Sequence, residues 1–99
     1  MPNIHPTAIV HPKACLADDC SVGPYCVIGE NVTIGAGTEI GHGCHFAGQL
    51  TIGRNNLFYP YCCVGTPPQD ISYRGELFAV SIGDNNIFRE FCTINMGTA

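Results

Sequence analysis

Large apolar residues recur at every sixth position through most of the chain. Neither the 3.6-residue period of an α-helix nor the two-residue period of a flat strand produces this spacing. A six-residue repeat predicts a coil of short parallel strands, in which three hexapeptides form one triangular turn. The repeat occupies eleven consecutive steps and then resumes for three more, in the order Ile4, Val10, Leu16, Val22, Ile28, Ile34, Ile40, Phe46, Ile52, Phe58 and Val64, then Ile82, Phe88 and Ile94.

The residues around the apolar positions fit the sides and corners of such a coil. Gly or Ala often follows the apolar residue, and small residues usually occupy the position four after it. Gly tolerates the positive φ angles that tight corners need. Successive turns stack about 4.8 Å apart, so residues one full turn apart form ladders. We therefore expect Ile4, Val22, Ile40 and Phe58 to form one interior column.

Five of the seven cysteines occupy the small-residue position of the repeat. An odd number of cysteines without a CxxC pair does not indicate a disulfide framework. A buried thiol can instead act as a small apolar group that fills the coil. We predict that these five residues are buried and reduced: Cys20, Cys26, Cys44, Cys62 and Cys92.

The composition limits the partners of the chain. Charged residues make up only 12% of it, against roughly a quarter in a typical domain, so we expect a partner to cover part of the surface. The net charge is -4 and there is no cluster of Lys or Arg, which argues against nucleic acid. No apolar run is long enough to cross a membrane and the start lacks the pattern of a signal peptide, so we expect a cytoplasmic protein.

The six-residue series breaks between Val64 and Val80. The segment GTPPQDISYRGELFA, residues 65–79, does not continue the repeat and is predicted to leave the coil as an excursion. An insertion of this length without a repeat of its own is usually functional or disordered. Its apolar residues argue against disorder. A loop packed on the coil, a contact between subunits and a substrate loop are the alternatives that stay open.

Four phrases of the sequence carry a resemblance to a known family. They are HPTAIV (residues 5–10), PQDISYRGE (68–76), IGDNNIFRE (82–90) and TINMGT (93–98). Together with the hexapeptides they resemble the N-terminal part of the acyl-[acyl-carrier-protein]–UDP-N-acetylglucosamine O-acyltransferases. The resemblance implies an all-β fold, a left-handed parallel β-helix of between four and five turns. It implies one domain over residues 1–99, forming the N-terminal part of a longer β-helix.

The resemblance also implies an activity. The family transfers a (3R)-hydroxyacyl group from acyl carrier protein to the 3-hydroxyl of UDP-N-acetylglucosamine, the first step of lipid A biosynthesis. Its members are homotrimers with active sites between subunits, and they need neither a metal nor an organic cofactor. We therefore expect acyl carrier protein, UDP-N-acetylglucosamine and two further copies of the chain as partners.

Substrate-binding residues follow from the same resemblance. In the family the excursion helps to bind the nucleotide sugar and the acyl chain, which implies contacts from Gln69, Asp70 and Ser72, with Asp70 directed to sugar hydroxyls. Asn95 is expected to face the same cleft. Two positions depart from the family pattern, because Ser72 replaces a common Lys and Met96 replaces an Arg. Each departure removes a positive charge near a phosphorylated substrate.

Acyl transfer to a hydroxyl group requires a base that takes the proton. The histidine that serves as this base in the family belongs to a later coil, so we expect it C-terminal to Ala99 and expect no catalytic residue within residues 1–99. Of the four histidines present, His5 and His11 are predicted at corners of the first coil. His42 and His45 are predicted on the surface.

Two other interpretations stay open. The chain can be a truncated, non-catalytic β-helix that lacks the base. Alternatively, it can be a zinc enzyme of the γ-carbonic anhydrase type, which has the same fold and places histidines across a subunit interface. The phrase IGHGCHFAG, residues 40–48, matches the second interpretation weakly. The PQDISYRGE segment favours the acyltransferase.

Overall fold

The computed structural model describes residues 2–66 and 79–95, in which the chain forms fourteen short strands arranged in three parallel sheets. The first sheet contains β1 (Asn3–Ile4), β4 (Ser21–Val22), β7 (Glu39–Ile40), β10 (Leu57–Phe58) and β13 (Ile87–Phe88). The second contains β2 (Ile9–Val10), β5 (Val27–Ile28), β8 (His45–Phe46), β11 (Cys63–Thr66) and β14 (Thr93–Asn95). The third contains β3 (Cys15–Leu16), β6 (Val32–Ile34), β9 (Gln49–Ile52) and β12 (Ala79–Ile82).

Each strand pairs with the strand three places before it in the chain, so the chain passes through the three sheets in turn. This is the predicted left-handed parallel β-helix of between four and five turns. The described residues contain no helix that is long and apolar enough to cross a membrane.

The strand register confirms the ladders that the six-residue series predicts. Val22 pairs with Ile4 and Ile40 pairs with Val22, so partners lie 18 residues apart in the first coils. Across the excursion the separation becomes 30 residues, as in the pair of Phe58 and Phe88. The difference of 12 equals the number of residues from 67 to 78. The coil therefore continues in the same register on both sides of the excursion.

The apolar residues of the series fill the interior of the coil. Phe46 and Phe58 are 0% exposed, and their rings meet edge to face with centroids 5.0 Å apart. Phe88 stacks on Phe58 with a centroid distance of 4.6 Å. Ile4 belongs to the predicted column but is 36% exposed, because it lies in the first described coil. The aromatic rings thus link three successive coils in the centre of the core.

The cysteine prediction is correct for four of the five residues. Cys20, Cys26, Cys44 and Cys62 are buried, whereas Cys92 is only half-buried. Cys92 lies in the last described coil, where no further described strand covers it. All seven cysteines are free thiols.

Three residues of the predicted excursion, 65, 66 and 79, remain in the coil. Gly65 and Thr66 belong to β11, and Ala79 begins β12, where it pairs with Gln49. Backbone hydrogen bonds with neighbouring strands explain why these residues stay in the coil. Residues 67–78 of the predicted excursion fall outside the described residues.

A buried amide joins the coils on the two sides of the excursion. The side chain of Asn56 is 1% exposed and donates from Nδ2 to the carbonyl oxygen of Gly83 at 2.8 Å. Its Oδ1 accepts the backbone N–H of Asn86 at 2.9 Å. Both partners follow the excursion in sequence. Asn56 thus satisfies its own polar atoms and fixes the coil that resumes after residue 78.

Candidate functional site

The residues predicted to bind substrate lie at or within the excursion. Gln69, Asp70 and Ser72 fall outside the described residues. Asn95 ends β14, and its Cα is paired with that of Thr66 at the end of β11. The backbone therefore places Asn95 beside the point where the chain leaves the coil. Met96 also lies outside the described residues.

A β-bulge marks this exit point. The register between β11 and β14 shifts between Val64 and Thr66, which leaves Gly65 as the extra residue. Gly65 has a φ of 77°, a conformation that favours glycine. A Cβ atom at this position would collide with the carbonyl oxygen of Ala47 in the neighbouring coil. Gly65 is thus required both for the turn and for the close approach of two backbones.

We expect Gly65→Ala to destabilise the protein by about 2 kcal/mol or more, since the new methyl group adds a backbone collision to an unfavourable φ. Urea denaturation followed by circular dichroism measures this loss. Gly83→Ala is the matched control, because a Cβ at Gly83 meets no atom within 4 Å. The control should change stability by less than about 0.5 kcal/mol. Equal losses in the two variants would contradict the role of the bulge.

The outer face of the second sheet adjoins this exit point. Ladder pairing aligns five side chains on it, one from each strand, and we call this set the outer column: Ile9, Val27, His45, Cys63 and Thr93. Ile9 is 66% exposed and Val27 is 37% exposed. The column therefore offers an apolar half far from the excursion. Its other half carries an imidazole, a thiol and a hydroxyl group nearer to it.

Two histidines stabilise corners of the first coil, which confirms the prediction for His5. Nδ1 of His5 accepts the backbone N–H of Thr7 at 3.2 Å, and Nδ1 of His11 accepts that of Lys13 at 3.1 Å. Both rings are exposed. Each imidazole thus closes its own turn in the way that a short polar side chain does.

His42 and His45 lie on the surface, which confirms the sequence prediction. The ring of His42 meets that of Tyr61 edge to face, with a centroid distance of 5.1 Å. His45 belongs to the outer column. Within residues 2–66 and 79–95, no group of three or more His, Cys, Asp or Glu side chains is placed to hold a metal ion. A three-ligand zinc centre of the carbonic anhydrase kind is therefore not formed by these residues alone.

One corner of the coil carries an exposed aromatic ridge that the sequence analysis missed. Tyr25, Tyr61 and Phe91 have φ angles of 60°, 67° and 61°, and the rings of Tyr61 and Phe91 stack with centroids 5.5 Å apart. Bulky residues rarely adopt this backbone conformation, which costs about 1 kcal/mol or more for each. The signal was present in the phrases GPYC and YPYC, where an aromatic residue follows the apolar position by three.

Known proteins resemble the chain over nearly all of its length. Residues 1–36 match the bacterial transferase hexapeptide family (six repeats). An acyl-[acyl-carrier-protein]–UDP-N-acetylglucosamine O-acyltransferase of Verminephrobacter eiseniae is 51% identical over 98 residues, which cover 99% of this chain and 37% of that protein. The solved structure of LpxA from Acinetobacter baumannii superposes with a TM-score of 0.92 at 45% identity, over 96% of this chain and 37% of the other.

Over nearly its whole length the chain is thus similar to hexapeptide-repeat acyltransferases. A UDP-N-acetylglucosamine acyltransferase of Francisella novicida agrees, with a TM-score of 0.92 and 45% identity over 97% of this chain and 35% of that one. The chain therefore spans little more than a third of the length of these acyltransferases.

Among the residues predicted to bind substrate, the structure positions only the backbone of Asn95. It lies next to the bulge at Gly65 and to the end of the outer column at Thr93. The exit of the excursion, the end of β14 and the polar half of the outer column thus lie at one edge of the second sheet. This edge is the candidate substrate site.

Proposed function

We propose that the chain forms the N-terminal coils of an enzyme that transfers a (3R)-hydroxyacyl group from acyl carrier protein to the 3-hydroxyl of UDP-N-acetylglucosamine. The observation that carries the proposal is the 51% identity to the Verminephrobacter acyltransferase across 98 residues. A likeness restricted to the hexapeptides would support the fold alone. This match includes the aperiodic excursion, whose sequence the coil does not dictate.

The position of Asn95 supports the same function. Its backbone lies beside Thr66, where the segment that contains Gln69 and Asp70 leaves the coil. In the proposed site, a carboxylate and two amides offer hydrogen bonds to the hydroxyl groups of a sugar. In the proposed role, Asp70 orients the acceptor sugar, and Gln69, Ser72 and Asn95 contact it or the acyl chain. These residues bind and orient the substrates.

The proton of the attacking hydroxyl group needs a base, which we place outside residues 1–99. His5 and His11 use Nδ1 within their own turns, and His42 packs against Tyr61. We propose that the active enzyme is a cytoplasmic homotrimer. The exposed apolar half of the outer column is the kind of surface that a neighbouring subunit covers.

A chimeric enzyme tests the proposal. Residues 1–99 replace the matching residues of the Verminephrobacter acyltransferase, and mass spectrometry detects acylated UDP-N-acetylglucosamine formed from hydroxyacyl carrier protein. We expect the chimera to be active. Asp70→Ala should lower kcat/KM about 30-fold, which corresponds to about 2 kcal/mol for a lost hydrogen bond to a charged group.

Glu39→Ala is the control for that substitution, since Glu39 is an exposed carboxylate on the first sheet, and it should leave kcat/KM unchanged. A folded, correctly assembled chimera without activity would overturn the acyltransferase assignment and favour a non-catalytic β-helix. An active chimera in which Asp70→Ala has no effect would retain the assignment and refute the substrate role of the excursion residue.

A further inference from the structure

Three buried thiols lie one above another inside the coil. Cys26, Cys44 and Cys62 occupy the same interior corner in successive coils, and each is at most 1% exposed. The backbone N–H of Val27 donates to the carbonyl of Cys44, and that of His45 donates to the carbonyl of Cys62. These hydrogen bonds align the three residues along the axis of the helix. We call them the thiol column.

The sulfur atoms of the thiol column share one orientation. Each thiol donates to a backbone carbonyl oxygen, and the three acceptor residues occupy equivalent positions in successive coils. Cys26 donates to the oxygen of Gly41 at 2.9 Å. The corresponding bond of Cys44 goes to Tyr59 at 3.4 Å, and that of Cys62 goes to Arg89 at 3.1 Å. The sulfur positions therefore repeat with the spacing of the coils.

The coil spacing favours one kind of ligand for such a stack. Coils repeat at about 4.8 Å, and two metal–thiolate bonds of roughly 2.3 Å placed in line span about 4.6 Å. A disulfide needs Cβ atoms about 3.5–4.5 Å apart, which is shorter than the repeat. The described residues contain no cluster of three or more metal-ligating side chains, so a tetrahedral ion lacks its ligand set. A linear, two-coordinate ion needs only two sulfurs.

We propose that the thiol column binds one soft monovalent cation of the copper(I) class, held in line between two successive thiols. Cys44 is common to both pairs of neighbours. Thiolates select copper(I) over harder ions, and the apolar surroundings exclude water. Binding converts two thiols and one cation into an anionic bis-thiolate complex and releases two protons, so no electron is transferred.

Anaerobic titration of the reduced chain with copper(I) bicinchoninate tests this proposal. Transfer of copper bleaches the chelator, and ultraviolet absorption reports thiolate-to-copper charge transfer. We expect one copper(I) per chain. Cys44→Ala should weaken binding at least tenfold, and Ala is already present at the equivalent repeat positions 8 and 14. Cys15→Ala is the matched control, because Cys15 is exposed, and it should bind as the unmodified chain does.

Retention of full affinity by folded Cys44→Ala would overturn the proposal, as would loss of binding in Cys15→Ala. Loss of copper(I) binding in Cys63→Ala alone would indicate a site in the outer column and would also overturn the proposal. Circular dichroism establishes folding for each variant. If Cys44→Ala does not fold, the double variant Cys26→Ala/Cys62→Ala leaves Cys44 without a neighbouring thiol in the column, and it should lose binding to the same extent.

Discussion

Phe58→Ala should remove about 3–5 kcal/mol from the free energy of unfolding, a large part of the total that a chain of this length typically has. Phe58 is 0% exposed and contacts Phe46 from the coil before and Phe88 from the coil after. Its removal opens a cavity and also ends two ring contacts, each of which adds to the effect of burial. Urea denaturation followed by circular dichroism measures the change.

Phe91→Ala is the matched control for this substitution. Its ring is 76% exposed and stacks only on the rim of the coil against Tyr61. The loss should stay below about 1 kcal/mol, since little apolar area returns to water. Phe58→Leu, which keeps most of the volume, should lose less than Phe58→Ala. A similar loss in Phe58→Ala and Phe91→Ala would show that the aromatic core does not hold the coils together.

Asn56→Asp is expected to destabilise the protein by about 3 kcal/mol at pH 8, although it changes only one atom of the side chain. The introduced carboxylate turns an oxygen toward the carbonyl of Gly83, where Nδ2 now donates, and it buries a charge. Burial raises the pKa of this carboxyl group in the folded state above its value in the unfolded chain. The folded state then binds more protons, so stability falls as pH rises through that interval.

The pH dependence separates this mechanism from a simple packing defect. Denaturation curves at pH 8 and pH 4.5 should place the Asn56→Asp variant closer to the unmodified protein at the lower pH, because the protonated carboxyl group can donate to Gly83. Asn55→Asp is the control: Asn55 is exposed, so its substitution should cost less than about 1 kcal/mol at either pH. A loss in Asn56→Asp that does not vary with pH would contradict the proposed buried charge.

The sequence alone predicts the ladders because the large apolar residue of each hexapeptide must enter the interior. The column from Ile4 to Phe58 follows directly from that requirement. The burial of most cysteines follows from the small-residue position of each hexapeptide. The bulge at Gly65 does not follow from it, since a glycine after an apolar position also occurs at ordinary corners such as Gly29. The pairing of Thr66 and Ala79 with neighbouring strands likewise depends on three-dimensional contacts that the repeat does not encode.

The candidate site is less predictable for a related physical reason. Residues on the excursion do not obey the repeat, so periodicity says nothing about Gln69, Asp70 or Ser72, and their roles rest on resemblance. Asn56 interrupts the small-residue position as a polar exception, and only the structure shows that two backbone groups of the next coil satisfy its amide. The aromatic ridge was similarly hidden, because outward-facing positions tolerate many residue types.

The ladder separation is 18 residues before the excursion and 30 across it, which means that the segment is inserted in frame, as a length equal to two hexapeptides. Its departure is fixed at Thr66 and its return at Ala79, both held by strand pairing. A change of length between these two residues therefore leaves every rung of the scaffold in place. The part of the chain that leaves the coil and the part that builds it can consequently diversify under separate constraints.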